Sequence, residues 1–275
     1  MKRGRPQVAG PVAQALEAAA RAFGAGRLEE AGQLAAKILK SDRGNTAAAR
    51  LLGSVLILQG RPGEAIDPLQ KAARRDGDPA IETQLAQALA EAGRGEEALT
   101  TLRLAVTRRP AHPPAFQQLG DRLGELGRYE EAREVFDAGL AVAPDAVVLM
   151  IGLGYIHLRR NDRAGARAEF VRARAAAPER RDAAIGLARI MAVDGEFAAA
   201  ADLYRTVLQG QPSDWARRIE LAKCLLELGE RDGGEAMLRQ AARARGPGPA
   251  IKALAATAHG RFFLRPSAAA TFLAG

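Results

Sequence analysis

Small or apolar residues fall at 116, 119, 120 and 123 in one stretch of the chain, and at 132, 135, 136, 139 and 140 in the next. Each stripe has the three-and-four spacing of a single helical face, and Gly127-Arg128 separates them. Pro144 ends the second stripe, because proline cannot continue a helix. The pattern predicts a unit of helix, tight turn, helix and stop. The same grammar recurs at Gly26-Arg27-Leu28-Glu29-Glu30-Ala31, Gly60-Arg61-Pro62-Gly63-Glu64-Ala65 and Gly93-Arg94-Gly95-Glu96-Glu97-Ala98. It returns as Gly195-Glu196-Phe197 leading to Ala200 and as Gly229-Glu230-Arg231 leading to Gly234.

The units keep step. Proline stands at 110, 144, 178 and 212 and alanine at 98, 132, 166 and 200, an interval of 34 residues. A fixed period of that size marks stacked supersecondary units, each of which buries its apolar face only against its neighbours. Phe116, Leu119-Gly120, Leu123, Gly127, Tyr129, Ala132, Phe136 and Pro144 resemble the pattern of the tetratricopeptide-repeat family, and Leu153-Gly154, Ala166, Phe170, Ala173 and Pro178 repeat much of it. Seven units cover residues 12–248, with starts near 12, 46, 79, 113, 147, 181 and 215. The resemblance implies an all-α fold, a right-handed α-α superhelix, with residues 1–11 as a basic flexible N-terminus. Residues 249–275 are then a capping helix and a short apolar segment.

Departures from the pattern sit mainly at the ends. The spacing between the second and third units is 33, and the seventh unit has Gly234 and Gly246 where alanine and proline are expected, so its second helix is expected to fray. Gly53, Ala86, Gly120, Gly154, Ala188 and Ala222 share one position of the first helix, where the family's paired helices approach closely. The paired glutamates at 29–30, 96–97 and 130–131 open second helices. That place fits stabilisation of the positive end of the helix dipole better than acid–base chemistry.

Composition narrows the function. With 275 residues, 48% apolar and 4% aromatic, the chain suits a long thin core of small side chains. The N-terminal stretch lacks the apolar run of a secretory signal, and no apolar stretch reaches membrane-spanning length. Cys224 is the single cysteine, so no intrachain disulfide forms, and a reducing cytoplasm is the expected setting. No lysine follows a glycine, which removes the phosphate-binding loop. His112, His157 and His259 lack partners at metal-ligand spacing, and no Gly-x-Ser-x-Gly elbow appears. The chain is therefore expected to be non-catalytic, with no cofactor and no metal.

The net charge is +8, and it is uneven: +2 over residues 1–137 and +6 over 138–275. Nine arginines against four acids lie between 159 and 189. Such a run reads either as a solvated face or as an attraction for an acidic partner or polyanion. Nucleic acid is disfavoured, since no stacking aromatics are interleaved with the basic residues.

In proteins of the resembled family, positions 2, 5, 9, 12 and 13 of each unit line a concave groove. Here position 5 of the last three units holds Ile151, Ile185 and Ile219, and position 9 holds Tyr155, Arg189 and Lys223, with Arg159 one turn beyond Tyr155. Residues four apart share a helix face, so an isoleucine ladder beside an aromatic-cationic ladder is expected, either open to the groove or packed against a neighbouring unit. Earlier units offer Arg50 and Ser54, then Thr83, Gln87 and Glu91, then Gln117, Asp121 and Glu125. The paired asparagines and lysines of the family's carboxylate clamp are missing, since Asn45 and Asn161 are the only asparagines and both fall in connections. In the tail, Ala250–Ala258 looks like the first helix of an eighth unit, and Ser267 is placed to cap a short helix ending at Phe272-Leu273. Between them Phe262 and Phe263 cap the last repeat, fill the groove or dock on a partner. The expected function is an adaptor holding a protein or peptide in the groove, an acidic and partly apolar one suiting the C-terminal half. The alternatives are an anionic polymer or surface bound by the arginine-rich face, and an accessory subunit of a separately encoded enzyme.

Overall fold

The computed structural model describes residues 10–257 and 266–274, all of them in helices or their connections. The chain forms two compact units, one ending at Leu149 and the other beginning at Met150. The first unit holds α1 (Pro11–Gly24), α2 (Leu28–Ser41), α3 (Thr46–Leu58), α4 (Pro62–Asp76), α5 (Pro79–Glu91), α6 (Gly95–Ala105), α7 (Pro113–Glu125) and α8 (Tyr129–Val142). Helix α9 (Val147–Arg159) spans the boundary. The second unit continues with α10 (Arg163–Ala176), α11 (Arg181–Val193), α12 (Phe197–Gly210), α13 (Trp215–Glu227) and α14 (Arg231–Arg245). It ends with α15 (Gly248–Ala256) and α16 (Pro266–Ala274). Within each unit, every helix packs on those adjacent in sequence, giving the all-α helix-pair repeat that the 34-residue period implied.

Local chemistry makes the hairpins. The turn inside each pair carries one left-handed residue: Gly26, Gly60, Gly93, Gly127, Gly195 and Gly229 have φ of 72–83°, and Asn161 takes the same place at φ 60°. Glycine meets no Cβ penalty there, and asparagine is among the few other residues that tolerate it. The arginine after several of these glycines reaches the glutamate three residues on, as in Arg94 Nε–Glu97 Oε1 and Arg128 Nη2–Glu131 Oε2, both 2.6 Å. The glutamate pairs therefore serve helix starts through ion pairs as well as through the dipole.

The small residues of the first helices face large ones on the second. A Cβ on Gly53 would lie 2.8 Å from Leu69 Cδ2, one on Gly120 2.5 Å from Phe136 Cε2 and Cζ, and one on Gly154 2.9 Å from Phe170 Cε1. Leu69, Phe136 and Phe170 are fully buried, so these contacts are the centre of the core. In the first unit one carboxylate is also buried: Glu82, 2% exposed, accepts from Arg108 Nη2 at 2.7 Å and Arg108 Nε at 3.1 Å. This pair ties the irregular connection after α6 back to α5, and it satisfies a charge that burial alone would penalise heavily.

Two expectations for the C-terminal part are corrected. Helix α14 runs a full 15 residues without fraying, because Gly234 is buried against α13, where a Cβ would sit 2.7 Å from Leu226 Cγ and 3.1 Å from the Ala222 carbonyl. Its glycine is a close-approach residue rather than a weak point. Helix α16 begins at Pro266, so Ser267 lies inside the first turn and does not cap it. Leu273 of α16 joins Leu226, Leu238, Ala250 and Leu254 in one apolar cluster, and the Arg239 guanidinium lies 4.8 Å from the Phe272 ring centroid. Phe262 and Phe263 lie outside the described residues.

Asp162 caps α10, accepting from Gly165 N at 2.9 Å, and His157 Nδ1 lies 2.7 Å from its other oxygen but off the line of a hydrogen bond. The Gly165 N–H and, less strongly, the neighbouring His157 hold the Asp162 carboxyl below its ordinary pKa. Asp162→Ala should lower stability by about 1 kcal/mol in denaturant melts at pH 7, as for a lost helix cap. Because the folded pKa is depressed, the cap's contribution is complete above the unfolded carboxylate pKa. It disappears as the pH falls through the folded value, so wild type and variant should converge in acid.

Candidate functional site

The first helices of each unit line open clefts. In the first unit a cleft of about 510 Å³ is walled by Arg50 and Ser54 of α3, Gln84 and Gln87 of α5, and His112 and Gln118 at α7. It is a polar surface held in register by side-chain bonds between neighbouring repeats. Gln84 Nε2 donates to the Arg50 carbonyl at 2.9 Å and to Ser54 Oγ at 2.7 Å. Burial pushes the His112 imidazole below its usual pKa, with Asp78 opposing and Arg50 adding to the shift. A second, smaller cleft of the same unit runs through Gln87, Glu91, Gln118, Asp121 and Glu125. Crowding raises the Asp121 carboxyl, partly offset by a hydrogen bond from Gln117, while one face of the residue stays open to solvent.

In the second unit a cleft of about 540 Å³ has a different character. Arg189 of α11 and Arg217, Glu220, Lys223 and Glu227 of α13 surround it, with Phe197 and Tyr204 of α12 among its walls. Lys223 Nζ is spent in part on Glu220 Oε2 at 2.9 Å. Arg189 is exposed and has no ion-pair partner among the described residues. Cys224, also on this cleft, is 2% exposed, and burial pushes its thiol up to about 11, so it stays a protonated packing group.

The residues singled out from the sequence divide accordingly. Arg50, Gln87, Asp121, Arg189 and Lys223 line these clefts. The isoleucine ladder is not an open strip: Ile151 is 6% and Ile219 8% exposed, and only Ile185 is half-buried. Ile219 packs into the cluster of α13 to α16, which takes most of its apolar surface out of water, and what remains lines a further cleft of about 500 Å³ beside Trp215, Pro249 and Lys252. Tyr155 is half-buried and packs edge-on to Phe170, with centroids 5.1 Å apart, and burial raises its phenol pKa. Arg159 is exposed without a partner among the described residues, and Gln117 is held to Asp121.

Position 6 was missed. Gln84, Gln118 and Glu220 all occupy it and all line clefts. The 34-residue frame held the signal, since the same place is glycine at 152 and 186. The arginine-rich run proves largely self-neutralised. Arg163 and Arg167 meet Asp194, Arg167 also meets Glu196, Arg172 meets Glu169, Arg180 meets Asp182 and Arg181 meets Asp214. Among the described residues no three histidine, cysteine or acidic side chains gather to hold a metal ion, and no helix is long and apolar enough to cross a membrane.

Comparison with known proteins agrees with the helix-pair repeat. Tetratricopeptide-repeat models match residues 22–83, 56–123 and 194–258 in one case and 118–170 and 151–214 in another. No curated protein matches the chain. Among solved structures, the pilF protein of Pseudomonas aeruginosa is 21% identical with a TM-score of 0.65, over 74% of this chain and 92% of that one. A tetratricopeptide repeat protein of Parabacteroides merdae is 20% identical with a TM-score of 0.63, over 88% and 96%. The human IFIT1 dimer with m7Gppp-AAAA is 15% identical with a TM-score of 0.63, over 82% of this chain and 58% of that one.

Proposed function

The chain belongs to the tetratricopeptide-repeat family, whose repeats serve as protein-interaction scaffolds, and we propose that it binds an extended protein segment along the faces of its first helices. The observation that carries this reading is that unlike side chains in one repeat frame converge on clefts of about 500 Å³ in each unit. Carboxamides both donate and accept, so Gln87 and Gln118 complement a peptide main chain whatever its sequence, while Gln84, whose Nε2 is spent on Arg50 and Ser54, offers its oxygen as an acceptor. In the second unit Arg189 and Lys223 favour acidic residues, while Tyr155 and Ile185 add half-buried apolar surface. Arg159 extends the positive edge one turn further. Arg50, Gln117 and Asp121 would set the sequence preference of the first unit.

A polyanion on the arginine-rich face is the second reading, motivated by Arg159 and Arg174, which keep no partner among the described residues. The ion pairs of the remaining run weaken it, because each offsets the field that would attract a distant anion. Cross-linking mass spectrometry of complexes purified from the native cell separates the two. Arg189→Glu with Lys223→Glu should remove partners that cross-link to α11 and α13 and reduce their recovery at least tenfold. Recovery unchanged by this reversal, combined with steep loss in salt, would overturn groove binding in favour of the outer face.

A further inference from the structure

One residue of the first-unit cleft departs from the frame in which its counterparts are placed. The residue before the first helix of a repeat is Asn45 at α3, Asp78 at α5 and Asp214 at α13, and each caps its helix through a side-chain oxygen. Before α7 it is His112, whose imidazole makes no cap bond and stands instead on the wall of the cleft of about 510 Å³. Capping does not ask for a histidine there, and a cation at the positive end of a helix is disfavoured. The ring is half-buried, it has no hydrogen-bond partner among the described residues, and neither of its nitrogens is sealed from water. It is a proton acceptor with a route to solvent. Its place is fixed from behind, because Arg108 of the same connection is anchored to Glu82 of α5 at 2.7 Å.

The charges that face it are few. Arg50 of α3 and Asp78 at the start of α5 act on the imidazole electrostatically. They also stand 3.9 Å apart, Arg50 Nη1 to Asp78 Oδ2, while Asp78 Oδ1 accepts from the Ala80 N–H. At this end of the cleft one positive and one negative charge therefore offset each other. In the connection itself Arg108 is spent on Glu82, and Arg109 Nη1 turns back to donate to the Arg108 carbonyl at 2.9 Å. The other walls, from Leu16 and Ala20 of α1 to Gln84, Gln87 and Gln118, are uncharged. A proton on His112 is thus an unbalanced charge on a surface otherwise close to neutral.

Resting on the groove reading above, we infer that His112 is a proton switch for the first-unit cleft: once protonated it makes the Arg50 end cationic, and a bound segment with a basic side chain at that end is released. Burial, opposed by Asp78 and reinforced by Arg50, holds the imidazole below the ordinary histidine value of 6.5. The cleft is therefore set to its uncharged state at neutral pH, and the switch works in mild acid. The fold favours the neutral ring, so the unfolded chain takes up the proton first. Lowering the pH through 6.5 thus also costs the first unit stability, until the folded ring is protonated in turn.

The test uses the full chain carrying Arg189→Glu and Lys223→Glu, so that selection falls on the first unit. Twelve-residue peptides selected on it from a random library at pH 7.5 are rescanned with lysine at each position, a residue whose own charge is constant over the range used. Affinities are read by fluorescence anisotropy at pH 7.5 and pH 5, at one ionic strength, with His112 in place and with His112→Gln. His112→Asn, which puts there the residue that caps α3, is a second neutral variant, and thermal melts verify folding at both pH values. Lysine at one or two adjacent positions should cost about tenfold more at pH 5 than at pH 7.5, the scale of two like charges at a partly screened surface. Either neutral variant should remove that excess. The His112 imidazole resonance, assigned by its absence from both variants, should titrate below 6.5. A lysine penalty with the same pH dependence in the neutral variants, or a His112 ring still neutral at pH 5, overturns the switch and leaves groove binding in place. Failure of the library to yield any binder overturns the switch and the groove reading together.

Discussion

Phe170→Ala is expected to lower the stability of the second unit by about 5 kcal/mol, the upper end of the range for a buried phenylalanine. Phe170 is completely buried, and its ring lies against Gly154 of α9 and Gly186 of α11, with the edge of Tyr155 closing a third side. Collapse normally recovers part of the cost of a cavity, because neighbouring side chains move in. Here two of the neighbours are glycines and have nothing to move. Trp215, the chain's single tryptophan, sits in the second unit, so its fluorescence during urea unfolding reports on this region, while circular dichroism reports on both units. The tryptophan midpoint should fall well below that of wild type. A change under about 1 kcal/mol would show that the Gly154–Phe170–Gly186 contact is not the keystone of this unit.

Gly120→Leu should be comparably damaging in the first unit. Two effects compete at this site. Replacing a glycine inside a helix gains about 1 kcal/mol in propensity, and that gain is available to any side chain that fits. None fits, since the first added carbon would already stand 2.5 Å from two atoms of the Phe136 ring, which is itself 0% exposed. Overpacking of this kind usually costs about 1–3 kcal/mol, and a ring with no free space behind it puts the cost at or above that limit. Combining Gly120→Leu with Phe136→Ala should recover a large part of the loss, since the added side chain then occupies the vacated volume. A double-mutant cycle in urea measures the coupling. Strict additivity of the two losses would mean that the close approach of α7 and α8 is not what makes Gly120 necessary.

The candidate site was legible to different depths. Arg189 and Lys223 could be matched as the same position of successive repeats by counting in the 34-residue frame, and the structure has both on one cleft. The isoleucines in the same frame could not be assigned, because burial depends on what the next helix brings. Ile219 meets α14 to α16, whose packing is not a function of the period. Gln84 and Gln118 escaped notice since their position is judged by a small rotation of the helix, one residue from the expected stripe.

Sequence alone determined the helix pairs, their turns and their close contacts. Those follow from interactions within a few residues: left-handed turn glycines, prolines that stop helices, and small residues recurring every 34 positions opposite large ones. Tertiary structure decided which polar groups remain for a partner. The arginines of residues 159–189 look alike as letters, yet Arg167 and Arg180 find carboxylates within 3.0 Å and Arg189 finds none among the described residues. Pairing falls off over a few ångströms, so it is settled by where neighbouring helices deliver their side chains, a matter that periodicity leaves open.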